Sequence, residues 1–176
     1  TEVAIMSYIK DNNAAFVARN VGKTFNAHGS AEVIIKDVNF SINKGEFISI
    51  LGVSGIGKST LFKVLSGLLA PTVGEVTYGG IPVRSALLDR KFGCAFQRPI
   101  LAGWRTVLEN ALLPLEILKP KEKSNLDRAH HLLNEVGLEN DLKKYPRELS
   151  GGMQQRLSLT MALSYDPDVL FLDEAF

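Results

Sequence analysis

Gly52-Val53-Ser54-Gly55-Ile56-Gly57-Lys58-Ser59-Thr60 reads G-x-x-x-x-G-K-[ST]. These residue types at this spacing can hold a phosphate chain. Glycines permit a tight turn in which successive backbone N–H groups face one concavity. A helix starting near Lys58 adds its positive dipole end at the same spot. Lys58 can then reach the β- and γ-phosphates as a point charge, and the Ser59 hydroxyl can ligate Mg²⁺. The pattern alone does not separate ATP from GTP, or an ATPase from a kinase.

Two further segments could do chemistry. Val169-Leu170-Phe171-Leu172 is followed by Asp173 and Glu174. A buried strand ending in Asp delivers that carboxylate to the carboxyl edge of a sheet, where open α/β sheets bind ligands. Asp173 is suited to hold Mg²⁺, directly or through water, and Glu174 to polarise an attacking water or accept its proton. Leu149-Ser150-Gly151-Gly152-Met153-Gln154-Gln155-Arg156 precedes a stretch of helical period. Ser150 is a good N-cap, and the two glycines leave the first N–H groups uncovered by any side chain. That is a second anion site of the same physical kind. One nucleotide does not need two from one chain, so the second is expected to serve the nucleotide of a partner molecule.

The elements that must position these groups follow from the hydrophobic pattern. Phe16–Val21 and Val33–Ile42 alternate roughly apolar with polar, as strands do, and Asn43-Lys44-Gly45-Glu46 is a turn. Phe47–Leu51 is a short apolar run, expected as a strand buried on both faces. Ser59–Leu69 has helical period; Gly74–Tyr78 and Phe92–Phe96 read as strands. Thr106–Leu113, Lys121–Val136 and Gly152–Ser164 read as helices, with Pro114, Pro120 and Gly137 as punctuation, and the chain then returns to a buried strand at Val169–Leu172. Cys94 is expected as a small apolar core residue. Lys119, Lys121, Glu122 and Lys123 are expected on a solvated face, and His28, His130 and His131 at the surface.

Composition bounds the rest. The 176 residues suit one domain of ordinary size, with 45% hydrophobic and 22% charged residues, which excludes disorder and fibrous repeats. Twenty Lys and Arg against nineteen Asp and Glu leave +1, which argues against a nucleic-acid partner. The single cysteine excludes an intramolecular disulfide framework and points to a reducing compartment. No stretch has the apolar length of a membrane span; the nearest, Ala111–Leu118, is interrupted by Pro114 and Glu116. Glu2, Lys10 and Asp11 break any apolar leader. The chain starts at Thr1 and stops at Phe176 directly after a strand, so it is expected to be incomplete at its ends.

Gly52–Thr60, Gln97, Leu149–Arg156 and Val169–Glu174 resemble, in that order, the Walker A, Q-loop, signature and Walker B motifs of ABC-transporter nucleotide-binding subunits. The resemblance covers about residues 14–176. It implies an α/β fold: a P-loop NTPase core, an antiparallel β subdomain and an inserted α-helical subdomain, C-terminally incomplete. The expected layout is an N-terminal extension at 1–13 and an ATP-binding domain at 14–176. Within that domain, 14–96 is β-rich, 97–152 holds the Q-loop and helical subdomain, and 153–176 returns to the core. The resemblance further implies a head-to-tail dimer, as a homodimer or with a paired ATPase subunit. Two ATP molecules lie between Walker A of one chain and the signature of the other, and a membrane permease converts closure and reopening into transport. The cofactors implied are ATP and Mg²⁺, on the cytoplasmic side of the inner membrane. Gly52, Ser54, Gly55, Gly57, Lys58, Ser59 and Thr60 are expected on the nucleotide, with Ser150, Gly151 and Gly152 on the partner's. Phe25 is expected to stack on adenine, Gln97 to sense Mg²⁺ and the attacking water, and Glu174, Gln97 and Lys58 to carry catalysis.

Gln97–Leu101, Trp104–Asn110 and Asp173–Phe176 resemble more narrowly the bacterial importers for nitrate, sulfonate and taurine, whose solute choice resides in the permease and a solute-binding protein. Gln97–Asn110 is expected beside the groove that receives the permease, with Trp104 as either an interface aromatic or a partly buried core residue. The family's D-loop and switch histidine lie beyond Walker B and are not in this sequence, so the 176 residues alone are expected to hydrolyse ATP poorly. Two alternatives stay open: a soluble ABC-type ATPase of repair or translation type, and a P-loop kinase. The interval between Gln97 and Ser150, broken by Pro114, Pro120 and Gly137, has no room for the coiled coil of the repair class.

Overall fold

A computed structural model of the chain describes residues 15–27, 30–118 and 123–173. The expectations placed on residues 1–13, His28, Lys119, Lys121, Glu122 and Glu174 lie outside the described residues, as does the side chain of Lys123. The chain forms two compact units, Thr1–Asp89 and Arg90–Phe176.

The first unit contains β1 (Phe16–Ala27), β2 (Ser30–Ile42), α1 (Lys58–Leu65), β3 (Val73–Tyr78), β4 (Ile81–Pro82) and α2 (Val83–Leu88). Its strands form one antiparallel sheet in the order β2-β1-β3-β4. The imperfect alternation of the sequence has a physical cause. Phe16, Ala18 and Val21 are buried on β1, and Ile35, Val38 and Phe40 on β2, so each strand skips one step of its period of two. The pairing register shifts at the same place, between Ala18 and Val21. Asn20 and Asp37 adopt left-handed φ values of 49° each, and Asn39 Oδ1 accepts from the Asn20 N–H at 2.8 Å. This irregularity returns Val21 to the core face after the extra residue. Phe16 and Phe40 stack with centroids 6.3 Å apart.

The short elements β4 and α2 were not legible in the pattern. The Asn43–Glu46 turn forms as expected, with the Glu46 carboxylate accepting from the Asn43 N–H at 2.9 Å. The next expectation fails. Residues 46–50 form no strand, and Phe47 and Leu51 are 86% and 75% exposed. An apolar run becomes a strand only where a neighbour offers its N–H and C=O groups. The four-stranded sheet of this unit closes without it. Helix α1 ends at Leu65 rather than Leu69, because Gly67 has φ 76° and lies against the Val83 carbonyl, which a Cβ would approach to 2.9 Å.

The second unit contains β5 (Phe92–Ala95), α3 (Val107–Leu118), α4 (Lys123–Glu135), a 3-10 turn at Pro146–Glu148, α5 (Gly151–Leu163) and β6 (Val169–Leu172). Strands β5 and β6 pair in parallel, from Phe92 opposite Val169 to Ala95 opposite Leu172. Phe92 and Phe171 meet edge-to-face at 5.4 Å. The four β6 residues are half-buried rather than fully buried as expected. Helix α5 lies close on β5 because Gly93 has no side chain: a Cβ there would sit 2.5 Å from the Ala162 carbonyl oxygen. Cys94 beside it is half-buried, and burial pushes its thiol up to about 11.

The helices share a core of Val107, Ala111, Ala129, Leu133, Leu138, Leu149 and Leu157. Pro114 does not end α3 as its usual behaviour predicts; it sits inside the helix. Proline removes one helical hydrogen bond, at about 3 kcal/mol in an interior position. Burial of Val107, Ala111 and Leu115 along one stripe offsets that loss. Thr106 and Glu109 form a reciprocal cap at the start of α3. The Glu109 carboxylate accepts from the Thr106 N–H at 2.7 Å, and Thr106 Oγ1 accepts from the Glu109 N–H at 3.3 Å. The Thr106 main-chain bond, then its hydroxyl, then the nearby Arg105 hold the Glu109 carboxyl below its usual range.

Two arginines cap the antiparallel helices α4 and α5 reciprocally. Arg128 of α4 donates to the Ser164 and Leu163 carbonyls at the end of α5, and Arg156 of α5 donates to the Val136 carbonyl at the end of α4.

Candidate functional site

The phosphate loop lies in the first unit, ahead of α1. Gly57 is the N-cap with φ 106°, and no side chain caps this helix start. A Cβ on Gly57 would stand 2.8 Å from Ile34 Cγ2, and one on Gly52 2.9 Å from Ile56 Cγ2; Gly55 has φ 80°. Gly55 and Gly57 are therefore required by the backbone of the loop itself, and Gly52 leaves room for the Ile56 side chain. Lys58 Nζ donates to the Gly52 carbonyl at 2.8 Å and to the Val53 carbonyl at 3.0 Å, across the concavity of its own loop. Ser54 and Ser59 are exposed, and Thr60 is half-buried. Phe25 is 39% exposed near the end of β1, with Lys23 Nζ 5.2 Å from its ring centroid. Lys23 is fixed there by donating to the Ala70 carbonyl at 2.9 Å.

In the second unit, three predicted elements converge on one strand end. Ala95 pairs with Leu172, and the Asp173 N–H donates to the Ala95 carbonyl at 3.0 Å. Gln97 follows two residues after Ala95. Parallel pairing thus brings the segments of Gln97 and Asp173 to the same carboxyl edge. The third element is α5. Ser150 caps it, its Oγ accepting from the Met153 N–H at 3.3 Å, as the sequence predicts. Gly151 and Gly152 are exposed in the first turn, and among the described residues a Cβ on either would meet nothing within 4 Å.

Side chains the sequence reading had not singled out hold this arrangement. Gln155 Nε2 donates to the Phe96 carbonyl at 2.9 Å, and Gln154 Nε2 to the Pro146 carbonyl at 2.9 Å. Asn110 is fully buried. Its Oδ1 accepts from the Ala102 N–H at 2.8 Å, and its Nδ2 donates to the Ala102, Arg105 and Thr106 carbonyls at 3.1, 3.0 and 2.9 Å. This staples the turn after the Gln97 segment onto α3. The signal was available: Asn110 is a polar residue on the apolar stripe of Val107, Ala111 and Leu115. Trp104 in that turn is 81% exposed, which leaves no place for it in the core. His130 and His131 are exposed, as expected.

The ABC transporter family model matches residues 35–176. This chain belongs to the ABC transporter family. The ABC-family fold expected from the sequence is matched by a solved dimeric ATP-binding cassette, MJ0796, in a post-hydrolysis state bound to ADP and Pi. The TM-score is 0.84 at 33% identity, covering 91% of this chain and 74% of that one. Among named ABC-family relatives, the methionine import ATP-binding protein MetN 2 of Enterococcus faecalis is 41% identical over 165 residues, covering 89% of this chain and 47% of that protein. The nitrate import ATP-binding protein NrtD of Synechococcus elongatus is 41% identical over 158 residues, covering 89% of this chain and 57% of that protein. The chain thus spans about half the length of these two relatives. Equal identity to a methionine and a nitrate subunit does not single out one solute branch of the ABC family.

Proposed function

We propose that this chain is the ATP-binding and ATP-hydrolysing part of an ABC importer subunit for a small solute of the nitrate, sulfonate or taurine kind. In this reading two such chains, or one with a paired ATPase subunit, associate head to tail on an integral-membrane permease. They lie on the cytoplasmic side of the inner membrane, with a solute-binding protein acting indirectly. The observation that carries the reading is the open space at Gly151 and Gly152. Glycine is less favourable than alanine in a helix, by about 1 kcal/mol in an interior position and by less in the first turn. Among the described residues nothing packs against either position, and in this reading the benefit comes from something that approaches the helix start from outside the chain. A nucleotide held on another copy's phosphate loop has the right chemistry for bare N–H groups at a helix N-terminus.

The residues present fit a nucleoside triphosphate. The glycine-shaped loop, an uncapped helix start and the Lys58 ammonium suit its β- and γ-phosphates, with Ser54, Gly55 and Thr60 in the same loop and Phe25 against the base. The Ser59 hydroxyl, the Gln97 side-chain carbonyl and the Asp173 carboxylate are hard oxygen donors of the kind Mg²⁺ takes. Each would be suited to hold Mg²⁺, which would supply neutralisation of phosphate charge. Lys58 exchanges its loop carbonyls for phosphate oxygens, Gln97 orients the attacking water, and Glu174 accepts its proton. Exposed Trp104 and the turn stapled by Asn110 then offer a surface to the permease. The functional domain is read as residues 14–176, after an extension at 1–13. Among the described residues no helix is long and apolar enough to cross a membrane, so the reading takes its membrane attachment from the permease.

The test uses the full-length protein. Glu174→Gln is expected to bind ATP, to release almost no inorganic phosphate, and to sediment as a dimer only with ATP present. Normal turnover by that variant removes the base assignment, and transfer of phosphate to an acceptor instead of water makes the protein a kinase.

A further inference from the structure

We infer that Gln155 is a positioning residue that ties the nucleotide-facing start of α5 to the backbone leading into Gln97; the inference rests on the reading proposed above. Three consecutive side chains of α5 reach three different parts of the second unit. Gln154 donates to the Pro146 and Leu149 carbonyls, at 2.9 and 3.3 Å, and so holds the lead-in to Ser150. Arg156 donates to the Val136 carbonyl at the end of α4. Gln155, between them, donates to the Phe96 carbonyl at 2.9 Å, a bond between residues 59 positions apart in the chain.

The location of that acceptor gives the bond its meaning. Ala95 and Phe96 are successive residues at the end of β5. The Ala95 carbonyl receives the Asp173 N–H, and the Phe96 carbonyl receives Gln155. The peptide unit that follows belongs to Gln97. One strand end therefore sets three things at once: the main chain of the Mg²⁺-ligating Asp173, the main chain carrying Gln97, and the rotation of the helix whose first turn carries Gly151 and Gly152. Gln155 is half-buried and lies one turn into the helix. A rotation of α5 that displaced the glycines would pull on the Phe96 carbonyl, and a shift at Gln97 would be felt at the glycines. The bond is a neutral side-chain-to-backbone contact, strong enough to set a geometry and too weak to hold the fold.

The experiment uses the full-length protein and two substitutions. Gln155→Glu keeps the size of the side chain, removes the N–H donor and sets a carboxylate against a carbonyl. Gln155→Lys restores a donor of sufficient reach. Gln155→Glu is expected to leave single-site affinity for a fluorescent ATP analogue within about twofold, because the phosphate loop is untouched. Its kcat for phosphate release is expected to fall about 5- to 10-fold, and the half-saturating Mg²⁺ concentration to rise. Gln155→Lys is expected to recover most of kcat. Combined with Gln97→Ala, Gln155→Glu is expected to add little further loss, since both act through the same group. Multiplying losses in the double variant, or a lowered melting temperature with unchanged Mg²⁺ dependence, overturns the positioning role and leaves an ordinary structural contact. If the unsubstituted full-length protein releases no phosphate from ATP, the proposed function fails first, which separates the two failures.

Discussion

Lys58 donates to the carbonyl of Gly52 at 2.8 Å, so the cation proposed to read phosphate is held by its own loop. Its second partner, the Val53 carbonyl at 3.0 Å, lies in the same loop. In the proposed function, nucleotide binding exchanges both for phosphate oxygens. Lys58→Met keeps the stem and removes the charge. Affinity for a fluorescent ATP analogue is expected to fall about 10- to 100-fold, the worth of one to two charge-assisted bonds. The nucleotide-free melting temperature should move by no more than about 2 °C, because the two lost bonds are exposed. Unchanged affinity would remove the phosphate-loop reading.

Gly151 and Gly152 make opposite demands on stability and activity. Among the described residues a methyl group at either meets nothing within 4 Å, so Gly151→Ala and Gly152→Ala are expected to be neutral or to stabilise the chain by up to about 1 kcal/mol in urea unfolding. The same variants should bind nucleotide normally, yet fail to form the ATP-dependent dimer in sedimentation. Destabilisation by either would mean that the glycines serve the fold.

Asn110 makes four hydrogen bonds from a fully buried position. Asn110→Ala leaves the Ala102 N–H without its side-chain acceptor, while the Ala102 carbonyl keeps the Arg105 N–H at 3.0 Å, and it opens a small void. The expected loss is about 2 to 4 kcal/mol in denaturant unfolding. Since the staple shapes the turn carrying Trp104, permease-stimulated turnover should fall more than the basal rate. A loss below about 0.5 kcal/mol would show that water replaces the side chain easily.

Cys94 should resist alkylation. Burial raises its thiol from the ordinary 9.0 to about 11, so at pH 8 its thiolate fraction is about 100-fold smaller than that of a free thiol. Iodoacetamide should label the folded protein about 100-fold more slowly than the urea-unfolded chain. The sign for stability follows from a pKa raised on folding. The contribution is fully present below about 9 and is lost as pH climbs to about 11, because only the unfolded chain readily releases the proton. Cys94→Ala should therefore lose less stability than the parent over that window. Rapid labelling of the native protein would place the thiol at the surface.

The backbone features of the proposed sites were legible because they are local. The phosphate loop is one short run of consecutive residues, Gly52–Ser59, and Gly57 shows directly why glycine is needed for backbone shape: φ 106° with Ile34 against the missing Cβ. The Ser150 cap is equally local, since donor and acceptor are three residues apart. The strands of the antiparallel sheet could be read from alternation, and the skipped step at Asn20 and Asp37 was already present as a broken period. Contacts between distant residues left little trace. Gln155 to Phe96 and Arg128 to the end of α5 join residues whose separation in the chain carries no pattern.

Residue type and spacing by themselves pointed to the phosphate loop, the capped glycine helix and the acidic strand, because each is a short-range requirement on the backbone, and the family came from the resemblance of those motifs. Only the tertiary structure decided that Phe47–Leu51 forms no strand, that Pro114 stays inside α3, and that the segments of Gln97, Asp173 and Gln155 share one strand end. Those outcomes depend on which neighbour supplies a hydrogen-bond ladder or an apolar face, and that is a property of the whole packed unit rather than of any window of sequence.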